Sequence, residues 1–211
     1  MSISDKFAKA DPKGFYGAKD QDQLTERYDE AAEVYDAAME NDVGWTGHVE
    51  LAKVVIKHVP PKKRLCDAGA GTGMLGDKLF EAGFGKMSAN DLSPGMLAVA
   101  RKKRIYQHCQ VLALGKPLPY PGFSFDAVTA CGVFTPNHAP ASSLDELIRI
   151  TKKGGLLLYT LRSDEEPPEF ASKQQELMDA GKWELVEAGE PFPSIAAEPH
   201  IRHRCWVWRV L

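Results

Sequence analysis

The stretch that most constrains this chain is Leu65-Cys66-Asp67-Ala68-Gly69-Ala70-Gly71-Thr72-Gly73. A short apolar run ends at an acidic residue, three glycines follow at alternate positions, and a helical pattern begins at Met74. Glycine lets the backbone turn sharply and lets a ligand lie directly against it. A strand, a glycine turn and a helix start in series therefore predict an α/β unit with a nucleotide-sized cradle.

The rest of the sequence repeats the strand–helix alternation. Arg64–Ala68, Lys86–Asp91, Gln110–Leu114, Phe125–Cys131 and Leu156–Leu161 read as strands. Gly73–Ala82, Pro94–Arg104 and Ser142–Ile150 read as the helices between them, with Ser93 placed to cap the second. After a further helix at Pro167–Ala180, Trp183–Glu187 and His203–Val210 are joined too closely for a helical crossover, so they pair antiparallel. The expected fold is a Rossmann-like α/β sheet of seven strands. It is mostly parallel, carries helices on both faces and has an antiparallel C-terminal strand. Residues 1–20 are polar and read as a loose arm. Residues 21–211 read as one domain, with a helical N-terminal lid over 21–60 and the core over 64–211. In the lid, Leu24, Tyr28, Ala31, Ala32, Tyr35 and Met39 recur at helical spacing, which predicts one helix from Asp22 to about Glu40.

Composition narrows the function classes. A net charge of −3 argues against a general nucleic-acid binder. No apolar run approaches membrane-spanning length, and the first residues lack a signal-peptide core. Cys66, Cys109, Cys131 and Cys205 are scattered without paired spacing, which favours a reducing compartment and a cytoplasmic protein. His200, His203 and Cys205 make too thin a ligand set for zinc, so no metal is expected. Trp206 and Trp208 lie on the opposite face of their strand from Cys205 and read as packing residues.

Two ligands compete for the glycine loop. Gly71-Thr72-Gly73-Met74-Leu75-Gly76 matches the dinucleotide fingerprint Gly-x-Gly-x-x-Gly, but its frame leaves an extra Gly-Ala step after Asp67. Asp-x-Gly-x-Gly-x-Gly fits from Asp67 through Gly73 without adjustment. On those residues the chain resembles the class I S-adenosylmethionine-dependent methyltransferases. The charges agree with that choice: pyrophosphate favours a bare helix N-terminus, whereas a sulfonium and an ammonium favour nearby carboxylates. Asp91, 24 residues after Asp67, ends the second strand where a carboxylate can accept ribose hydroxyls; its alternative role is to help cap the next helix.

The resemblance extends to Ser93-Pro94-Gly95-Met96-Leu97-x-x-Ala100 and to Leu118-Pro119-Tyr120. It implies S-adenosyl-L-methionine as cofactor, held by Asp67, Gly69, Ala70, Gly71, Thr72, Gly73, Asp91, Leu92 and Met96. Leu114 stands where many members carry an acid, which leaves a backbone contact around Leu114 and Gly115. Cys131 ends the fourth strand, where ligands of such sheets sit. Tyr28-Asp29-x-x-Ala-x-x-Tyr35-Asp36, with Gly132-Val133-Phe134-Thr135 and Ala180-Gly181-Lys182-Trp183, is similar to the Williams–Beuren-region methyltransferase-like family. In that family Tyr28 and Tyr35 would close over the cofactor.

His138, in the loop after the fourth strand, is the candidate general base, with a helix cap or plain exposure as its alternatives. Trp45, Phe134, His138, Tyr28 and Arg162 are assigned to the acceptor side. The predicted partner is a small-molecule acceptor rather than nucleic acid or a membrane, on a monomer or weak dimer. The alternatives are an NAD(P)-dependent oxidoreductase and a non-catalytic adenosylmethionine-binding protein.

Overall fold

The computed structural model describes residues 18–135 and 138–211, so most of the predicted arm lies outside the described residues. The strands are β1 (Leu65–Ala68), β2 (Met87–Asp91), β3 (His108–Val111), β4 (Phe125–Ala130), β5 (Thr151–Arg162), β6 (Trp183–Ala188), β7 (Phe192–Pro193) and β8 (Arg202–Val210). They form one sheet in the order β3-β2-β1-β4-β5-β8-β6, with the short β7 also paired to β8. The first five run parallel, and β8 is antiparallel to both β5 and β6. The expected architecture is present, with β7 as a small addition.

Strand pairing places the site. From β1 the chain moves outward to β2 and β3, then returns to the other side of β1 for β4 and β5. The strand order reverses between β1 and β4, and a crevice opens beyond their carboxyl ends. Alternate side chains of these central strands feed opposite faces. Cys66, Val128 and Leu157 join one buried cluster, whereas Leu65, Ala127 and Leu158 join another. Runs that are apolar at every position are what a sheet covered on both faces requires. Trp183 and Trp208 stack with ring centres 4.3 Å apart, and both are buried.

The described helices are α1 (Gln21–Ala31), α2 (Tyr35–Ala38), α3 (Gly47–His58), α4 (Met74–Glu81), α5 (Pro94–Lys103), α6 (Ser143–Ile150) and α7 (Pro168–Asp179). Ser93 caps α5 as predicted, its hydroxyl oxygen accepting from the Met96 N–H at 3.0 Å. α3 stops before Pro60-Pro61, which cannot continue it. None of these helices is long and apolar enough to cross a membrane.

Two elements differ from expectation. The predicted helix over Asp22–Glu40 is broken by a 3-10 turn at Ala32–Val34 and ends in a π turn at Met39–Val43. Its packing supplies the reason, because two aspartates on it are tied to separate core elements. Asp29 accepts from the Ser93 hydroxyl at 2.5 Å and from the Gly95 N–H at 2.7 Å. Asp36 accepts from the Thr72 hydroxyl and pairs with Lys103 at 2.7 Å. Such anchoring overrides intrinsic helix propensity. The other difference is β3, which spans His108–Val111 rather than Gln110–Leu114. Its register with β2 ends at Asp91↔Val111, and Leu112–Leu114 leave the sheet to enter the crevice wall.

Replacing Asp36 with alanine should loosen this lid. It strands the buried Thr72 hydroxyl and leaves Lys103 with Asp77 alone, at a cost of about 1–2 kcal/mol. Hydrogen exchange should accelerate over residues 21–43 while β1 and β4 keep their protection. Unchanged exchange in the lid would show that the Asp36 contacts do not hold it.

Candidate functional site

The crevice is a cavity of about 990 Å³ measured out to its open mouth. Its floor is the glycine loop. Gly69, Gly71 and Gly73 take φ values of +70°, +56° and +89°, which residues with a Cβ rarely adopt. A Cβ on Gly69 would lie 2.5 Å from Val133 Cγ2, so the loop also packs against the segment after β4.

The loop is held from inside. The N–H groups of Gly69 and Ala70 donate to the Asn90 carbonyl at 2.8 and 2.9 Å, and that of Gly73 donates to the Ala70 carbonyl at 2.9 Å. The Gly71 N–H donates to Asp91 Oδ2 at 2.8 Å, while Asp91 Oδ1 accepts from the Ser93 N–H at 2.9 Å. Four of the loop's amides are thus spent on protein oxygens. A phosphate cradle needs such amides turned toward the ligand.

Asp67 is buried under the loop. Its Oδ2 accepts from the Tyr106 hydroxyl at 2.6 Å and its Oδ1 from the Thr129 hydroxyl at 2.9 Å. Burial pushes its carboxyl up to about 6, against the opposing pull of those two donors. Burial likewise raises Asp91. The folded chain therefore holds the Asp67 proton more tightly than the unfolded chain. Its contribution to stability is fully present below pH 3.8 and is lost as pH rises through 6. Wild type should lose about 2 kcal/mol relative to Asp67→Asn between pH 4 and pH 7, read by urea denaturation. A pH-independent difference would show that Asp67 ionises normally.

Tyr106 also explains Gly76. A Cβ there would lie 2.1 Å from the Tyr106 hydroxyl oxygen, so the third glycine of the apparent dinucleotide fingerprint makes room for this ring.

Most of the predicted cofactor residues meet in the cavity wall: Asp67, Gly69, Ala70, Gly71, Thr72, Asp91, Leu92, Met96, Leu114, Cys131, Tyr28 and Tyr35. Two do not. Gly73 lies beneath the wall as the N-cap of α4, facing Tyr106, and Gly115 faces Pro140, where a Cβ would lie 2.7 Å from Cγ.

A second cavity of about 660 Å³ shares Tyr28, Tyr35, Trp45, Cys131, Gly132 and His138 with the first. Of the predicted acceptor residues, Tyr28, Trp45 and His138 line both. The Tyr28 hydroxyl oxygen lies 2.8 Å from His138 Nε2, and the Tyr28 and Tyr35 rings meet edge to face at 6.1 Å. Phe134 is a correction. It is buried against Tyr159 and Phe170, at 5.3 and 4.8 Å, because an aromatic ring beside the core under α7 gains more from burial than from a place in the wall. Arg162 is in the wall of neither cavity among the described residues; its guanidinium pairs with Asp164 and Glu165 in the loop after β5, and its charge is felt by His203 in the wall of the second cavity.

Sequence reasoning missed His48, Leu112, Ala113 and Val133 in the wall of the first cavity. His48 is buried on α3, its Nδ1 has no hydrogen-bond partner among the described residues, and burial lowers its pKa. Its position in a helical pattern carried no sign of this. Asp29 and Asp36, by contrast, lay in plain view beside the two lid tyrosines. No arginine or lysine lines either cavity among the described residues.

Residues 66–159 match the Methyltransferase domain family. Human Methyltransferase-like protein 27 is 34% identical over 135 residues, covering 61% of this chain and 55% of that protein. Malonyl-[acyl-carrier protein] O-methyltransferase of Serratia marcescens is 31% identical over 184 residues, covering 86% of this chain and 66% of that protein. The chain thus spans just over half to about two thirds of the length of these relatives. The crystal structure of the [4+2]-cyclase SpnF superposes with a TM-score of 0.72 at 16% identity, covering 92% of this chain and 97% of that one, a likeness of fold. The loop geometry, the acid-lined cavity and these matches agree. The chain belongs to the class I S-adenosylmethionine-dependent methyltransferases.

Proposed function

We propose that this protein transfers a methyl group from S-adenosyl-L-methionine to a small-molecule nucleophile by direct in-line displacement. One observation carries the reading: two carboxylates, Asp67 and Asp91, stand in a cavity wall with no arginine or lysine among the described residues. A cationic ligand suits that wall, and a pyrophosphate does not.

The residues fit this cofactor. Asp91 keeps lone pairs beyond its two backbone bonds for the ribose hydroxyls. Leu92, Met96 and Leu114 supply apolar wall for the base. Asp67 supplies negative charge toward the methionine end, and His48 Nδ1 is a polar partner for its carboxylate. When bound, adenosylmethionine supplies a methyl carbon already activated by a sulfonium, so the protein's task is alignment and exclusion of water. Tyr28 and Tyr35 line both cavities and stand where the two meet. His138, beside the Tyr28 hydroxyl, accepts the proton of an acceptor that arrives protonated. The acceptor enters from the second cavity.

Calorimetry with adenosylmethionine, adenosylhomocysteine and NADH tests the reading. The first two should bind and NADH should not. Tight NADH binding without adenosylhomocysteine binding overturns it in favour of the oxidoreductase. Adenosylhomocysteine binding with no methyl transfer to any thiol, phenol, amine or carboxylate would make the chain a non-catalytic cofactor-binding protein.

A further inference from the structure

The second cavity restricts what can be methylated. Tyr28, Tyr35 and Trp45 supply aromatic faces to it, and Met39, Val43 and Ile195 supply aliphatic ones. Among the described residues no Asp, Glu, Lys or Arg lines it. A charged group entering it would lose much of its hydration, and the charges nearest His203, those of Arg162 and Asp164, are of opposite sign and already paired with each other, so entry is costly.

Among the described residues its polar side chains are uncharged hydroxyls (Tyr28, Tyr35, Thr135), the Cys131 thiol, the Trp45 N–H and two imidazoles. Tyr28 and His138 are engaged with each other. His203, on β8, is buried in the cavity wall, with the Trp45 ring edge-on at 5.2 Å and Nδ1 held 2.7 Å from the Ser194 hydroxyl. Its Nε2 has no hydrogen-bond partner among the described residues, and His203 lines the second cavity, so the cavity is the space from which a partner can reach it. Burial lowers the His203 pKa to about 4, so the ring is neutral near pH 7 and adds no charge to the wall.

Resting on the methyl-transfer reading, we propose that the acceptor is an uncharged aromatic compound bearing a hydroxyl group, and that His203 Nε2 is a specificity-determining contact for it. A hydroxyl both donates and accepts, so it satisfies either tautomer of that nitrogen. The rings of Tyr28, Tyr35 and Trp45 supply offset and edge contacts to an aromatic acceptor. An acceptor carrying a carboxylate or phosphate is disfavoured.

The test compares 2-naphthol with 2-naphthoate, which share a ring and differ in charge. Each is titrated into the chain alone and into the chain saturated with adenosylhomocysteine. 2-Naphthol should bind at least tenfold more tightly in both. His203→Phe should weaken 2-naphthol at least fivefold while adenosylhomocysteine affinity stays within twofold. Ile195→Lys, which places a cation in the same wall, should reverse the preference toward 2-naphthoate and keeps the test available should His203→Phe fail to fold. Equal or tighter binding of 2-naphthoate to the unaltered chain overturns the proposal, as does a His203→Phe chain that binds 2-naphthol normally. Failure of adenosylhomocysteine to bind overturns the methyl-transfer reading instead, and the titrations into the chain alone still report the preference of the cavity.

Discussion

Asp91→Ala should weaken adenosylhomocysteine binding at least tenfold, a loss of about 1.4 kcal/mol or more. The carboxylate acts twice in the structure. It stands in the cavity wall as the acceptor available to ribose hydroxyls, and its two oxygens hold the Gly71 and Ser93 N–H groups at 2.8 and 2.9 Å. Removing it therefore takes away a ligand contact and frees the glycine loop at its midpoint. Asp91→Asn separates the two effects. The amide oxygen still accepts one backbone N–H, while the amide nitrogen opposes the other, so loss of affinity should come with a smaller loss of stability than in the alanine variant. Calorimetry and thermal melts on the same preparations make the measurement. A folded Asp91→Ala chain with an unchanged dissociation constant would refute the ribose role.

Gly76→Ala should destabilise the fold by about 3 kcal/mol, combining overpacking with the loss of a hydrogen bond to a carboxylate. The new methyl would sit 2.1 Å from the Tyr106 hydroxyl oxygen and 2.4 Å from its Cζ, against a ring that donates to buried Asp67 at 2.6 Å. Alanine is the better helix former, so propensity alone forecasts the opposite sign. In a Tyr106→Ala background the same substitution should cost under about 1 kcal/mol, because the two residues are coupled through one space. Equal costs in both backgrounds would mean that the ring does not set the requirement for glycine. Urea titration of the four proteins of this cycle decides it.

These two residues also show how far the sequence was legible. Asp91 could be placed because its chemistry is local: a carboxylate at a strand end, one strand and one helix after the acidic start of a glycine loop. Gly76 was visible but misleading, since its spacing completed a dinucleotide fingerprint. Its real neighbour, Tyr106, is thirty residues away in sequence and comes from the turn after α5. The same contrast holds on the acceptor side. His138 and Phe134 lie in one loop and looked equally available, yet one side chain reaches the cavity and the other packs into the core. A loop sequence does not encode which of its residues faces inward, because the cluster across from it makes that choice. His203, read first as a doubtful metal ligand, became a cavity residue through its partners Ser194 and Trp45, which belong to other parts of the chain.

The sequence by itself determined the strand–helix alternation, the parallel sheet with its antiparallel end, the frame of the glycine loop and the acidic residues at the ends of β1 and β2. Periodicity, glycine conformational freedom and side-chain charge are properties of neighbouring residues, and they act at short range. Only the tertiary structure decided that the loop amides are spent on Asn90 and Asp91, that Tyr106 and Thr129 hold Asp67, and that Asp29 and Asp36 pin the lid. Each of those contacts joins residues far apart in the chain, and each depends on strand order and register. These residues meet because β1 lies between β2 and β4, and hydrophobic patterning alone does not dictate which strands are neighbours.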